Sequence, residues 1–578
     1  MNAILLIILV FAGYIIAYKT YGRYLSKKIF KVSDRNIVPS HEFQDGIDYV
    51  PTDKSIIFGH HFTTIAGLGP IIGPAIGIIW GWLPALMWVF FGSIFMGAVH
   101  DYATLIISAR NKGKTIGELT GNVLNPGSRI AFQLIMQVLL TIVLSVFALI
   151  VSTLFVLYPE SVIPIWLQIP IAILLGRIIK RGGNKIVYSI IAIILMYVTI
   201  YIGMLFPINI AELPFLSRFA GNQTQLFNIV AIIWCLILFI YVSIASVLPV
   251  GVLLQPRDFI NSLQLFIAIV VIVLGVFVAN PIISAPAINS LAFEPGNDVP
   301  AIAPVLFIII ACGAISGFHS IASSGTTVKQ LDKESDGLFI GFGSMLTEGF
   351  LAVLVIICAT AGLGLGFDFN GEILKGSDAF YHYYSSWSAT QGGISNNIQS
   401  FVIGTTNLLA VIGIPREFSA VMIAVFIVSF ANTTLDSAAR IQRLSMQELV
   451  GEKRKFLNNR YISTIIVILL AGIITFLKPG GAGAKILWPL FGSMNQLLAA
   501  LGLAVVTVYM HQKGKKYILF LVPMLFILIM TLWSMGINLF RSIQKADYVL
   551  ITISFVILAL TGWLLFSGLK TIIRNRIT

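Results

Sequence analysis

The chain has 578 residues, 57% hydrophobic and 11% charged, with a formal net charge of +13 and a mean hydropathy of +0.94. That is more apolar surface than a soluble domain could bury around one core, so the bilayer is its solvent. The basic excess suits anionic lipid headgroups, and no nucleic-acid partner is needed to account for it.

The first 18 residues are apolar with no basic residue before them, and the cluster "KTYGRYLSKK" follows. This reads as a retained first span rather than a cleaved signal peptide. Apolar stretches of roughly 20 residues fall near 2–18, 55–79, 83–108, 130–157, 162–178, 186–206, 226–250, 261–283, 301–322, 338–362, 405–436, 461–477, 485–509, 517–536 and 547–568. The expected architecture is an all-α polytopic membrane protein of about fifteen transmembrane helices. With the N-terminus outside and the C-terminus cytoplasmic, the inner loops carry 30 of the 37 Lys and Arg and the outer side 7, as the positive-inside rule requires. The longest loops are 19–54, inside, and 363–404, outside, where "FYHYYSSWSATQGG" is expected to form an interfacial helix or a lid. Cys235, Cys312 and Cys358 lie in apolar runs and read as packed hydrophobes. No P-loop, no GxGxxG after a strand and no HExxH occurs, so the chain carries no motif of an ATP-driven pump or a zinc protease and is not read as an enzyme.

The second span holds "GHHFTTIAGLGPIIGPAIG". Glycines and prolines in mid-span predict a break near Gly67 to Pro74, where a new half-helix would turn free N–H groups and its positive dipole end toward a carboxylate. Irregular backbone at that depth survives where it is buried in protein or lines a cavity. The competing reading is a kinked packing helix whose glycines mark a helix contact. His60, His61, Gly67, Gly69, Pro70 and Gly73 are the substrate-binding candidates here. A metal at His60 and His61 is disfavoured, because neighbours on a helix point about 100° apart.

The third span carries His100 and Asp101 in "GAVHDYATLIISARNKGK", where Asp101 could instead pair with Arg110. In the seventh, "YVSIASVLPVGV", Ser246 is a further binding candidate. In the ninth, "CGAISGFHSIASSGTTVKQ", a helix would align Ser316, His319 and Ser323 beside a stripe of Ser320, Ser324 and Thr327. Hydroxyls at that density with an imidazole can hold Na⁺ or carry a proton, though singly they more often bond neighbouring helices. Glu348 in the tenth span is the deepest carboxyl. In the eleventh, "SFANTTLDSAARIQR", Asn432 and Thr433 share a face with Asp436, which could otherwise pair with Arg440. Ionisable groups inside a membrane are costly enough that function is the default reading. The ion-coupling candidates are therefore His319, Ser323, Ser324, Thr433, Asp436, His100, Asp101 and Glu348. Gly502 reads as a small residue in a peripheral span.

"DYVPTDKSIIFGHHFTTIAGLGPIIGPAIG", "GAVHDY…SARNKGKTIGE", "SGFHSIASSGTTVKQL", "FANTTLDSAARIQR" and "WPLFGSMNQLLAALGLAVVTVY" together resemble, in order, the signature blocks of the carbon starvation protein A family of bacterial inner-membrane transporters. The resemblance runs from about residue 45 to 510. It implies peptide uptake under carbon limitation or proton-driven pyruvate uptake, and membership of the amino acid–polyamine–organocation superfamily. That superfamily implies an inverted five-plus-five repeat with broken first and sixth helices. The expected division is an N-terminal span and loop at 1–54, a first repeat at 55–206, an outer loop at 207–225, a second repeat at 226–440 and a C-terminal part at 441–578. Its second broken helix would be the seventh span, interrupted at Pro249 and Gly251. The function expected is a symporter for a small carboxylate-bearing nutrient. A pyruvate-like monocarboxylate comes first and short peptides second, with H⁺ or Na⁺ as coupling ion and no other cofactor. A membrane sensor or a channel is the alternative of another class; no signalling domain is visible to support a sensor.

Overall fold

The computed structural model describes residues 1–294, 296–387, 394–451, 454, 456–478 and 482–577. Among them, twelve helices are long and apolar enough to cross a membrane, and one bent pair makes a thirteenth span. In chain order the helices are α1 (Ala3–Phe30), the bent pair α2 (Lys54–Ile65) and α3 (Gly69–Gly77), α4 (Trp82–Ala109), the short α5 (Ile116–Val123), α6 (Pro126–Leu157), α7 (Val162–Lys180), α8 (Lys185–Leu205), α9 (Gln223–Val247) and α10 (Leu254–Ala279). Then follow the short pair α11 (Ile302–Ile309) and α12 (Gly317–Gly325), α13 (Glu334–Leu365), α14 (Ile394–Val411), α15 (Arg416–Val450), α16 (Arg460–Phe476), α17 (Ala482–Gln512), α18 (Ile518–Gln544) and α19 (Tyr548–Ile577). The described residues thus hold twelve to thirteen candidate spans against the fifteen expected, with α14 and α16 among the shorter apolar helices. The chain is a multi-pass, all-α membrane protein.

The first break falls where glycine and proline placed it. Ala66 leaves helical geometry, and the two halves meet at 46°. Pro70 lies in the first turn of α3, where its missing N–H costs nothing. Gly67 is there because α15 comes close: a Cβ would lie 2.6 Å from Thr434 Oγ1.

Three expectations are corrected. The second break is not at Pro249 and Gly251, which lie in the turn between α9 and α10. It is the non-helical stretch between α11 and α12. Proline and glycine at the end of an apolar run ended that helix instead of breaking it. Ser316 is accordingly the N-cap of α12 in extended geometry, outside the helical stripe assigned to it, and Thr327 falls after the helix. The eleventh span is two helices, because Gly413 at φ 88° and Pro415 turn the chain between α14 and α15. α14 does not cross. Its Asn407 Nδ2 donates to the Gly362 and Gly366 carbonyls at 3.1 and 2.8 Å, so it stays against the far end of α13. Between α13 and α14 come a hairpin of β1 (Phe367–Phe369) and β2 (Glu372–Leu374) and a helix at Gly376–Tyr384. Residues 388–393 of the aromatic run lie outside the described residues.

Helix contacts repeat in a two-fold pattern. α2 packs on α10 as α12 packs on α17, and α3 packs on α13 as α12 packs on α4. α6 meets α15, α9 meets α16, and α9 packs on α15 as α16 packs on α6. Five spans beginning at the first break thus match five beginning at the second, with α7 and α8 as a hairpin outside the match. The two sets of five pack as matching halves, the second starting at α11, whereas its expected start was residue 226.

Candidate transport site

Both breaks converge on one region. α3 faces the α11–α12 gap so closely that a Cβ on Gly69 would lie 2.2 Å from Cys312 Sγ and one on Gly73 2.5 Å from the Ile309 carbonyl oxygen. Beside them is a cavity of ≈70 Å³ lined by Gly69, Gly73, Cys312, Phe491 and Gly492, among others, enough for a few waters.

In the middle of α2, His60 and His61 are fully buried and face different partners, as neighbouring helical residues must. His60 Nδ1 lies 2.6 Å from Asp258 Oδ2 on α10, and His61 Nδ1 lies 2.9 Å from Thr327 Oγ1. Neither Nε2 has a hydrogen-bond partner. Asp258 continues into a second group: Arg257 Nη2 is 3.2 Å from its Oδ1, Arg257 Nη1 bonds Asp436 Oδ2, and Tyr241 OH donates to the same oxygen at 2.8 Å. This network joins α2, α9, α10 and α15. Asp436 therefore pairs with Arg257 and not with Arg440.

A second network crosses from α4 to α12 and α13. Asp101 stands between two histidines, with Oδ1 2.9 Å from His100 Nδ1 and Oδ2 2.9 Å from His319 Nδ1. His319 Nε2 lies 3.4 Å from Glu348 Oε2, and neither Glu348 oxygen accepts a hydrogen bond. All four side chains are fully buried. Four protonatable groups in contact can pass a proton from one to the next. Arg110, the alternative partner of Asp101, pairs instead with Glu334 at 2.5 Å. Gly502 belongs to the wall of this network and is not peripheral: its Cβ would lie 3.0 Å from His100 Nε2.

The remaining candidates scatter around these groups. Thr433 Oγ1 donates to the Phe430 and Thr63 carbonyls at 2.9 and 3.3 Å, tying α15 to the end of α2. Ser324 Oγ donates to Ser320 and accepts from the Ile116 N–H that opens α5. Ser323 Oγ is buried without a partner. Ser246 meets Thr464 at 3.5 Å on α16, away from both breaks. Pro70 shapes the start of α3 and presents no donor. Among the described residues, no three His, Cys, Asp or Glu side chains are grouped to hold a metal ion.

Residues 45–52 close one end of the bundle. The Val50 and Thr52 N–H groups donate to the Lys329 and Gln330 carbonyls, and Val250 N–H donates to Ile47. Asp48 receives Arg440 at 2.6 Å and Arg443 at 3.6 Å from α15. Burial pushes the Asp48 carboxyl up, but Arg440, Arg443 and Lys329 outweigh it and hold it below the usual range.

Reasoning from sequence missed Arg257, Asp258, Tyr241 and Asp48. Arg257 and Asp258 looked like loop residues, yet both are buried near the start of α10. The available signal was their position directly before a long apolar run.

The family model described as carbon starvation protein CstA matches residues 2–534. The chain belongs to that family. It is 32% identical to the peptide transporter CstA of Campylobacter jejuni, covering 96% of this chain and 83% of that one. It is also 32% identical to the pyruvate/proton symporter BtsT of Escherichia coli K12, covering 94% and 82%. Among solved structures it is similar to MhsT in complex with L-phenylalanine, at 13% identity and a TM-score of 0.46 over 84% of this chain and 98% of that one.

Proposed function

We propose that this CstA-family chain is a proton-coupled symporter of the bacterial inner membrane, importing a small carboxylate-bearing nutrient under carbon starvation. A pyruvate-like monocarboxylate is the first choice and a short peptide the second, following the two activities that its relatives' names carry. The observation that carries this reading is the buried chain His100–Asp101–His319–Glu348 beside both helix breaks. A proton needs no coordination shell, and imidazole and carboxylate side chains can hold one in turn. The substrate carboxylate would sit between the breaks, near the start of α3 and the unpaired Nε2 atoms of His60 and His61. Rocking the five spans from α2 to α10, less the α7–α8 hairpin, against those from α11 to α17 would expose that site alternately. In the positive-inside orientation, the 45–52 segment closes the cytoplasmic end.

Na⁺ coupling is the second reading. It rests on the oxygens gathered at the end of α2, where Thr433 and Thr434 meet the Thr63 and Thr64 carbonyls and Thr64 meets Ser437 at 3.0 Å. Uptake of labelled pyruvate and of a labelled dipeptide into reconstituted vesicles, under separately imposed H⁺ and Na⁺ gradients, tests both. Accumulation of pyruvate with H⁺ alone is expected; no accumulation of either solute under either gradient would refute the symporter.

A further inference from the structure

We infer that Asn495 and Gln496, neighbours on α17, are positioning residues that hold the two sides of the second break and so set where His319 sits. The functional half of this inference rests on the coupling role proposed above for His319. A helix break leaves carbonyls open on one side and N–H groups open on the other. Gln496 Nε2 donates to the Phe307 carbonyl near the end of α11. Asn495 Oδ1 accepts from the Phe318 N–H at 3.0 Å and from the Ser316 hydroxyl at 3.1 Å at the start of α12. Its Nδ2 lies 3.5 Å from Cys312 Sγ, inside the gap. From the other flank, Trp88 Nε1 donates to the Ile310 carbonyl at 3.0 Å.

Two features make this arrangement specific. Consecutive helical residues diverge by about 100°, which lets sequence neighbours reach opposite sides of a gap. α17 can approach so closely because a Cβ on Gly317 would lie 2.3 Å from the Asn495 carbonyl oxygen and one on Gly492 3.1 Å from that of Ile308, and neither residue has one. Phe318 directly precedes His319, whose Nδ1 meets Asp101 Oδ2 at 2.9 Å. Slack at the Phe318 amide therefore reaches the imidazole and the proton chain. Asn495 supplies its acceptor without charge, whereas a carboxylate there would set a new negative charge beside the break.

The test is hydrogen exchange of residues 316–320 in the full-length purified protein, paired with the pH profile of pyruvate uptake. Asn495→Ala should speed exchange in that segment by up to about tenfold and leave the other helices unchanged, while the pH profile of uptake shifts. Asn495→Asp keeps the acceptor and should restore protection. Unchanged exchange in Asn495→Ala, or equal acceleration in every helix, would overturn the inference. So would faster local exchange with uptake lowered by one factor at every pH, since that describes a structural contact with no hold on His319. If Asn495→Ala does not fold, Asn495→Ser, with a shorter acceptor, carries the same comparison. If the wild type moves no pyruvate, the transport reading falls while the exchange data still decide whether Asn495 holds the break.

Discussion

Gly69→Ala should disturb both breaks at once, and Cys312→Gly should repair it. A Cβ at Gly69 would lie 2.2 Å from Cys312 Sγ and 2.4 Å from its Cβ, while the Cys312 Cα is 3.8 Å away. Carbon and sulfur contacts relax near 3.5–4.0 Å, so the two half-helices must separate by roughly 1.5 Å or the side chains must leave their rotamers. Overpacking of this kind costs about 1–3 kcal/mol. If all of it falls on the substrate-ready arrangement, affinity drops roughly 5- to 150-fold. In the double variant Gly69→Ala/Cys312→Gly, both clashing atoms are gone and ordinary contact returns. The assay is melting temperature and pyruvate affinity measured on one purified sample of each variant. Loss of affinity at normal stability places the substrate at Gly69, while loss of stability at normal affinity makes Gly69 a packing residue. Wild-type values in the single variant, or no recovery in the double, would refute the geometry.

Removing one partner of the buried Arg257–Asp436 pair, as in Arg257→Met, should destabilise the protein by about 3–5 kcal/mol, because Asp436 stays buried with Tyr241 alone. Arg257→Met/Asp436→Leu should recover most of that in a denaturation series, and a double variant no better than the single would show that the pair carries little. His319→Ala, Asp101→Asn and Glu348→Gln should each abolish uphill accumulation of substrate while folded protein remains in the membrane; wild-type accumulation ratios in Glu348→Gln would take Glu348 out of the proton chain. Asp48→Asn should loosen the closed end by leaving Arg440 without its carboxylate, read as faster hydrogen exchange over residues 45–52. Because the folded Asp48 carboxyl is held below its ordinary value, its contribution is present above about pH 4 and fades as pH falls through the lowered value. Wild-type exchange in Asp48→Asn, or in the wild type a contribution lost on raising the pH, would contradict that sign.

Much of the architecture was legible in the chain because membranes impose one-dimensional rules. A span is an apolar run of fixed length, so most of the membrane-length helices followed from residue order, although fifteen spans were expected and twelve to thirteen are found among the described residues. The first break was legible too, since "GLGPIIGP" combines a residue without a Cβ and one without an N–H in mid-span. His319, Asp101 and Glu348 stood out because ionisable side chains are costly in apolar runs. Their partners were another matter. Asp101 had Arg110 nine residues away and Asp436 had Arg440 one turn away, yet each acid meets a residue from a remote helix, His319 or Arg257. Such pairings depend on how helices pack, which local periodicity does not encode. The second break was misplaced for the same reason. "SVLPVGV" carries stronger local breakers than "IIACGAISG", but the latter is opened and then held by Asn495, Gln496 and Trp88 from other helices. Residue order determined the fold class, most of the membrane-length helices and the stock of protonatable groups. Tertiary packing decided which of those groups touch, because a buried charge or an open backbone group takes its partner from whichever helix brings one within hydrogen-bond reach.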